Sequence, residues 1–310
     1  MKVAVLILNY NGAELLKRYL PSFQRAVAAS RHQCELAVVD NASSDESLAA
    51  LRKEFPGVTV HALKDNRVLC AYNEVVKGVD AEIVLLMNND IEAEENFIDP
   101  LVAPFESACD VFFVTPKVLG PGGDYEGNKT RGFIRWGVFG STAIYPGYEK
   151  ETERPGATFQ GGFGAFDRKK FLELGGYDDL YLPGRLEDAD LCFRAQKRGW
   201  KCLYEPRSIV RHEGGVSFHK VYGARRTLVI NWRNTFLFMW KNLNDRRIIF
   251  SCLFWLPPRL LGSLLLGKTE IISGYLEALP LRREARKRKE ASRATEALNV
   301  VSEHEIFSRI

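Results

Sequence analysis

An α/β protein with a mostly parallel sheet flanked by helices is predicted by two observations. Apolar strand-like runs alternate with helical stretches over the first 120 residues, the pattern of a parallel sheet with right-handed crossovers. The run Ile83–Met87, in "EIVLLMNND", is apolar without alternation, as expected of a strand buried on both faces.

The elements follow in order. Val3–Leu8 reads as the first strand, and residues 12–30 as a helix with Leu15, Leu16, Tyr19, Leu20 and Phe23 on its apolar face. "CELAVVD" is a second strand. "SSDESLAALRKEF" is a helix with Ser43 or Ser44 as its N-cap and acidic residues in its first turn. "VTVHAL", "CAYNEVVKGV" and "EIVLLMNND" continue as strand, helix and strand. Residues 120–160 are rich in Gly, Tyr, Trp and Pro and read as loops and short strands. A polar cluster, a helix and a further strand occupy residues 180–206. Residues 224–280 read as increasingly apolar helices. The expected division is 1–223, a catalytic domain, and 224–310, a helical and basic extension.

The totals narrow the function. The chain has 310 residues and a net charge of +4, too little to argue for nucleic acid. Residues 241–310 hold 13 Lys and Arg against 8 Asp and Glu, so the excess positive charge lies at the C-terminal end. The six cysteines show no metal spacing and read as reduced thiols. The opening "MKVAVLILNYNG" has too short an apolar stretch for a signal peptide and reads as a strand, so a cytoplasmic location is expected. Neither a Gly-x-Gly-x-x-Gly fingerprint after the first strand nor a phosphate loop is present, which weighs against a nucleotide-dependent oxidoreductase.

Polar strand ends are the first sign of a site. The first strand ends on Asn9-Tyr10-Asn11, the second on Asp40 and the fourth on Asn88-Asn89-Asp90. A single Asn-Asn-Asp is an ordinary loop signal. In a parallel sheet, however, all three ends share one rim, where open α/β sheets bind ligands. Glu187, Asp188 and Asp190 open a helix, where carboxylates also simply suit the positive end of the macrodipole. His212 follows a strand-like "SIV" and precedes Gly-Gly; a lone His is often structural, but this one stands at another strand exit.

The ordered set "VLILNYNG", "VVDNASSD", "MNNDIE", "GAFDRKKFLELGGYDD", "LEDADLCFRAQKRGW" and "RHEGGVS", spanning residues 3–217, resembles the inverting family 2 glycosyltransferases of the GT-A fold. The likeness is greatest to the bacterial rhamnosyltransferase-like branch that builds surface polysaccharides. The resemblance implies a Rossmann-like nucleotide-sugar fold. It places Asp40 on the pyrimidine base, with Asn9, Tyr10, Asn11 and Asn66 lining the donor pocket and Asn88 and Asn89 near the ribose and diphosphate. Asp90 would be the metal-binding end of the family's Asp-x-Asp motif and His212 a further ligand, holding Mg²⁺ or Mn²⁺. Asp188 would be the general base, with Glu187, Asp190 and Gly162 on the acceptor side. Two departures stand out: Asn88 replaces the first Asp of that motif, and Asn66-Arg67-Val68-Leu69-Cys70-Ala71 replaces the usual Asn-x-Gly-Phe-Ala, which bears on donor contacts.

The implied activity is metal-dependent transfer of a sugar from a UDP- or dTDP-linked donor to a saccharide hydroxyl, the acceptor being lipid-linked. The competing reading is a catalytically inactive nucleotide-sugar-binding scaffold. Such a scaffold needs the base pocket alone, so Asp90, Asp188 and His212 together argue against it. Residues 248–266 are apolar, but Pro257, Pro258 and Arg259 interrupt them, and the uncharged run Ile248–Pro258 falls short of the roughly 20 residues needed to span a bilayer. With the basic "LRREARKRKE" that follows, and Trp240 and Trp255 as interfacial residues, peripheral attachment to the inner face of the cytoplasmic membrane is expected; packing of these helices on the core is the alternative.

Overall fold

The computed structural model describes residues 1–213, 216–293 and 296–308. In chain order the first half comprises β1 (Lys2–Asn9), α1 (Ala13–Ala29), β2 (Gln33–Asp40), α2 (Ser47–Glu54), β3 (Thr59–Ala62), α3 (Tyr72–Gly78), β4 (Ile83–Asn88), β5 (Ile91–Ala93), α4 (Ile98–Ser107) and β6 (Val111–Leu119). An excursion follows: β7 (Tyr125–Gly127), the hairpin β8 (Arg131–Arg135) and β9 (Val138–Thr142), α5 (Tyr148–Glu151) and β10 (Gly156–Ala157). Then come β11 (Gly164–Asp167), α6 (Arg168–Glu173), α7 (Glu187–Lys197) and β12 (Lys201–His212). The remainder is helical: α8 (Val216–Asn242), α9 (Arg246–Leu265), α10 (Glu270–Ala278), α11 (Arg282–Arg293) and α12 (Glu303–Ser308).

The main sheet runs β10-β12-β6-β11-β4-β1-β2-β3. β3, β2, β1 and β4 are parallel neighbours, as are β6 and β12, while β11 runs antiparallel between β4 and β6. Asn9 lies opposite Asp40, and Leu8 opposite both Val39 and Asn88. The three polar strand ends therefore do share one rim. Val84, Leu85 and Met87 are fully buried, consistent with helical layers on both sides. One layer packs α1 and α4 on Val5, Ile7, Leu85 and Met87; the other sets α3, α6 and α7 against Leu6, Val84 and Phe166.

The helix after β2 departs from expectation. α2 starts only at Ser47 and has no side-chain cap. Ser43 and Ser44 bond instead into the loop after β1, where Asn11 and Asn9 compete successfully for their hydroxyl and amide groups.

A third core joins the C-terminal helices to the rest of the chain. Phe139, Phe159, Tyr181 and Phe193 pack with Phe236, Phe238, Leu243, Ala285 and Ile306. α8 bends at Gly223, whose φ is +72°, the residue at which the sequence suggests dividing the chain. The prolines do not interrupt α9, which is continuous over 20 residues. Proline φ suits a helix, and the carbonyls it leaves without partners, those of Leu253 and Phe254, belong to residues that are 62% exposed. α9 is consequently long and apolar enough to cross a membrane by length and composition, which the uncharged run alone did not suggest.

The tightest link across this third core is ionic. Asp190 of α7 is fully buried. Its Oδ1 accepts from Lys241 Nζ at 2.7 Å, Asn242 Nδ2 at 2.8 Å and the Tyr181 hydroxyl at 2.8 Å; its Oδ2 accepts from Arg194 Nε at 2.7 Å. Lys241 also reaches Asp178 Oδ2 at 2.6 Å. Burial alone would push the Asp190 carboxyl up; Lys241 and Arg194 overcome it and hold it well below the usual aspartate range. Removing one partner of a buried ion cluster leaves uncompensated charge, at roughly 3–5 kcal/mol. Lys241→Met is accordingly expected to lose that much stability in urea denaturation at neutral pH. A group with a depressed folded pKa stabilises above its unfolded value, so the gap between parent and variant should narrow as pH falls below about 4. A loss under about 1 kcal/mol at neutral pH would show that the cluster contributes little net.

Candidate active site

β1 and β2 deliver Asn9 and Asp40, both buried, side by side at the rim. Asn9 Nδ2 donates to Asp40 Oδ2 at 2.9 Å and to Ser43 Oγ at 3.2 Å, while its Oδ1 accepts from Asn89 Nδ2 at 2.7 Å. Asp40 Oδ1 accepts from the Ser43 amide at 3.0 Å. Asn11, in the left-handed region at φ +48°, accepts from the Ser44 amide at 2.8 Å and the Asp45 amide at 3.3 Å. Asn66 sits behind this loop: its Oδ1 accepts from Asn41 Nδ2 at 2.9 Å, and Asn41 Oδ1 takes the Arg67 amide at 2.9 Å. Tyr10 is exposed at the rim and Asn88 half-buried. A Cβ on Gly12 would stand 2.1 Å from Asn89 Nδ2 and 2.8 Å from Asn9 Oδ1, so a larger residue there would displace their bond. One bonded network thus runs from β1 to β2, β4 and the loop before α3.

The fourth strand end meets β12. Because β5 pairs antiparallel with β12, with Ile91 opposite His212, Asp90 is carried beside that histidine. His212 Nε2 lies 3.4 Å from Asp90 Oδ2, and Nδ1 lies 3.1 Å from Glu126 Oε2. Burial lowers the His212 pKa, but Asp90 and Glu126 together outweigh it and leave the imidazole above its ordinary value. Asp90 Oδ1 is buried and has no hydrogen-bond partner, an orphaned oxygen that a cation would satisfy. A hard divalent ion fits this set: one carboxylate and one imidazole whose far nitrogen is held by a second carboxylate, as metal-bound histidines usually are. Among the described residues, no three His, Cys, Asp or Glu side chains are placed to hold a metal by themselves. Phosphate and water oxygens would fill the rest of such a shell.

Glu126 has no sequence signal. It lies on β7 in the glycine-rich excursion, and only its pairing beside β6 brings it here. Gly214 and Gly215 of the "RHEGGVS" stretch lie outside the described residues.

The acidic triple divides. Asp190 does not face the acceptor side as expected; its oxygens are taken by the four donors described above, and it anchors α7. Glu187 is 6% exposed and its Oε2 has no partner; Asp188 is half-buried. Burial, then the neighbouring Asp188 charge, pushes the Glu187 carboxyl up to about 8, and burial raises Asp188 as well. Burial raises buried Tyr177 too, and the Asp188 charge adds to it. The Tyr177 ring is 6.5 Å from that of Tyr72, whose hydroxyl donates to the Met87 carbonyl at 2.7 Å. Tyr72 and Tyr177 share the second core with Leu191 and Cys192 of α7.

The loop before α7 holds Arg185 and Leu186 at φ +77° and +68°, strain of the kind that a surrounding structure must impose. α8 imposes it. Asn234 Nδ2 donates to the carbonyls of Tyr181 and Gly184, both at 2.7 Å, and of Arg185 at 2.9 Å. Sequence reading missed Asn234 because nothing distinguishes it within an apolar helix. Gly162 is half-buried, with open space where a side chain would lie. Arg67 turns away from the base pocket to pair with Asp179 at 2.9 Å.

Residues 4–175 match glycosyl transferase family 2. The chain belongs to that family. A glucosyl-dolichyl phosphate glucuronosyltransferase of Haloferax volcanii is 24% identical to this family 2 chain over 227 residues, 69% of each protein. N-acetylgalactosaminyltransferase 7 of Drosophila melanogaster is 25% identical over 235 residues, 68% of this chain but 39% of its own length. Among solved structures, GalNAc-T7 with UDP, GalNAc and Mn²⁺ superposes with a TM-score of 0.58 at 22% identity, covering 78% of this chain and 48% of that one. The mannosyltransferase PcManGT of Pyrobaculum calidifontis, in complex with GDP-Man and Mn²⁺, gives 0.54 at 14% identity over 96% and 84%. The family 2 chain thus has the GT-A fold, and it spans about half of the GalNAc-T7 chain.

The family 2 chain offers a direct check on its buried carboxyl. An acid with a raised folded pKa gives its full stability below the unfolded value, about 4.3 for Glu, and loses it as pH rises through about 8. Glu187→Gln removes that titration. Thermal melts across the window should show the parent losing stability toward alkaline pH more steeply than the variant; parallel curves would mean that Glu187 is ordinary.

Proposed function

We propose that this protein transfers a sugar, with inversion, from a UDP- or dTDP-linked donor to a hydroxyl of a lipid-linked saccharide in the synthesis of a surface polysaccharide, using Mg²⁺ or Mn²⁺. The observation that carries the reading is a set of two unsatisfied buried carboxylate oxygens: Asp90 Oδ1, beside His212 at the strand-end rim, and Glu187 Oε2, next to Asp188 at the start of α7. The first suits a cation and a diphosphate, the second a proton and a sugar hydroxyl. The solved relatives carry UDP or GDP-Man with Mn²⁺, which supports a nucleotide-sugar donor. The name of the Haloferax relative includes a dolichyl phosphate, which supports an acceptor on a lipid.

The roles are those that the likeness to family 2 implies. Asp40, held by Asn9 and Ser43, presents its carboxylate to the donor base, and Asn88 and Asn89 lie toward ribose and phosphate. Asp90 and His212 would hold the cation, with Glu126 fixing the imidazole. When bound, the cation neutralises charge on the departing diphosphate. Asp188, half-exposed and raised above ordinary aspartate, takes the acceptor proton as the hydroxyl oxygen attacks the anomeric carbon. Glu187, largely protonated at neutral pH, donates no competing charge. A single displacement by the acceptor inverts the anomeric centre.

Two outcomes test this. Asp188→Asn should leave donor affinity within a few-fold, by calorimetry, while turnover falls by roughly 10² or more; normal turnover in Asp188→Asn would assign the base elsewhere. Excess chelator should abolish transfer, and Glu126→Gln should weaken the metal requirement's half-saturation by about 10- to 100-fold. Full activity in chelator would remove the cation from the scheme.

A further inference from the structure

α9 has an unpartnered face that the transfer reaction does not use. Phe250, Leu253, Phe254, Leu261, Leu264, Leu265 and Leu266 are each 58–77% exposed, and only 6% of its most apolar stretch is buried. Scattered surface leucines need no explanation, but a continuous row of this kind marks an interaction site.

The opposite face of the same helix is held against the body from Ser251 to Arg259. Gly137, in the β8–β9 turn, lies so close that a Cβ would come 2.5 Å from the Ser251 carbonyl. The Trp136 and Trp255 rings are 4.9 Å apart. Leu256 packs on the third core, and Arg259 donates to the Trp136 carbonyl at 2.8 Å. Ser263, near the end, is 5% exposed. Cys252, Leu256, Arg259 and Ser263 recur at helical spacing, so one seam faces protein and the rest of the circumference faces outward. A helix held on one side in this way lies along the molecule.

Charge identifies what covers the outer face. α11 packs on α8, and between α8, α9 and α11 is a cavity of about 440 Å³. Trp240, Leu243, Ile249 and Leu253 line it, and Arg282 and Arg286 stand at its edge. Arg282, Arg283, Arg286 and Lys287 are exposed and enter no ion pair among the described residues, and the same holds for Arg246 and Arg247 at the start of α9. Trp240 forms part of the groove, with the Arg282 guanidinium 5.5 Å from its ring. An apolar face bordered by uncompensated cations complements an anionic lipid surface, in which tails meet the leucines and phosphates meet the arginines.

We propose that α9 and α11 dock the protein on the anionic leaflet of a lipid bilayer, at the inner face of the cytoplasmic membrane, with α9 lying in the interfacial plane. The proposal goes beyond the transfer reaction and does not depend on it.

Flotation of the full chain with vesicles of phosphatidylcholine, with and without phosphatidylglycerol, tests it directly. The parent should float with the anionic vesicles at low salt and largely sediment at high salt. Phe254→Glu with Leu261→Glu, both on the outward face, should reduce the floated fraction at least tenfold with an unchanged circular-dichroism melt. Arg283→Glu with Lys287→Glu should abolish the preference for phosphatidylglycerol. Lipids brominated near the headgroup should quench tryptophan fluorescence more than lipids brominated near the chain end; the reverse order would overturn the in-plane arrangement. Failure of the parent to float, or equal flotation of all variants, would overturn the docking surface. So would a parent that stays with the protein fraction as a dimer which Phe254→Glu dissociates, since a second copy would then cover the face.

Discussion

Asp190 connects the two halves of this molecule. It is placed on α7 one turn or less from Glu187 and Asp188, and it is neutralised by Lys241 from α8 and Arg194 from its own helix. Replacing such a cluster with apolar residues is often harmless to stability, so its value here is positional. Three donors converge on one oxygen at 2.7–2.8 Å, which fixes the rotation of α7 relative to α8. Asn234, two turns earlier on α8, then holds the strained 181–185 carbonyls. The conformation that presents Glu187 and Asp188 is thus set by residues outside the strand-and-helix repeat that forms the family match at 4–175.

The donor side is governed by a different constraint. Parallel strands put their carboxyl ends on one rim, and each end carries an amide or a carboxylate. Left to water these groups would be independent. Here Asn9 links Asp40 and Asn89 directly, so that the ends of the first, second and fourth strands share one hydrogen-bonded frame. A ligand meeting this frame finds donors and acceptors already oriented, and pre-orientation reduces the ordering that binding must otherwise impose.

Much of this was legible in the sequence, and the failures have physical causes. Val3–Leu8, "CELAVVD" and Ile83–Met87 were readable as strands because buried parallel strands cannot hide their apolar runs, and Asn9, Asp40 and Asp90 followed from the topology. Asp190 was misassigned because spacing places a carboxylate on a helix but does not say which face is buried: Lys241, 51 residues away, decides that. Ser43 and Ser44 were read as caps because local rules cannot see Asn11 competing from another strand. Glu126 and Asn234 were missed for the same reason. Each acts through a partner distant in sequence, and neither stands in a pattern that marks it.

α9 shows how the two levels of description correct one another. Pro257 and Pro258 read as breaks because proline lacks the amide that a helix needs. The helix nevertheless continues, because the seam through Cys252, Leu256, Arg259 and Ser263 holds the backbone on both sides of the pair. Continuity changes the chemistry of the segment. Broken at the prolines, it would be two short helices, each able to turn its leucines inward. Unbroken and pinned along one side, it cannot rotate to bury Phe254 without lifting Arg259 from the Trp136 carbonyl and Leu256 from the third core. The packing that secures the C-terminal helices to the rest of the chain is therefore also what keeps an apolar face directed outward.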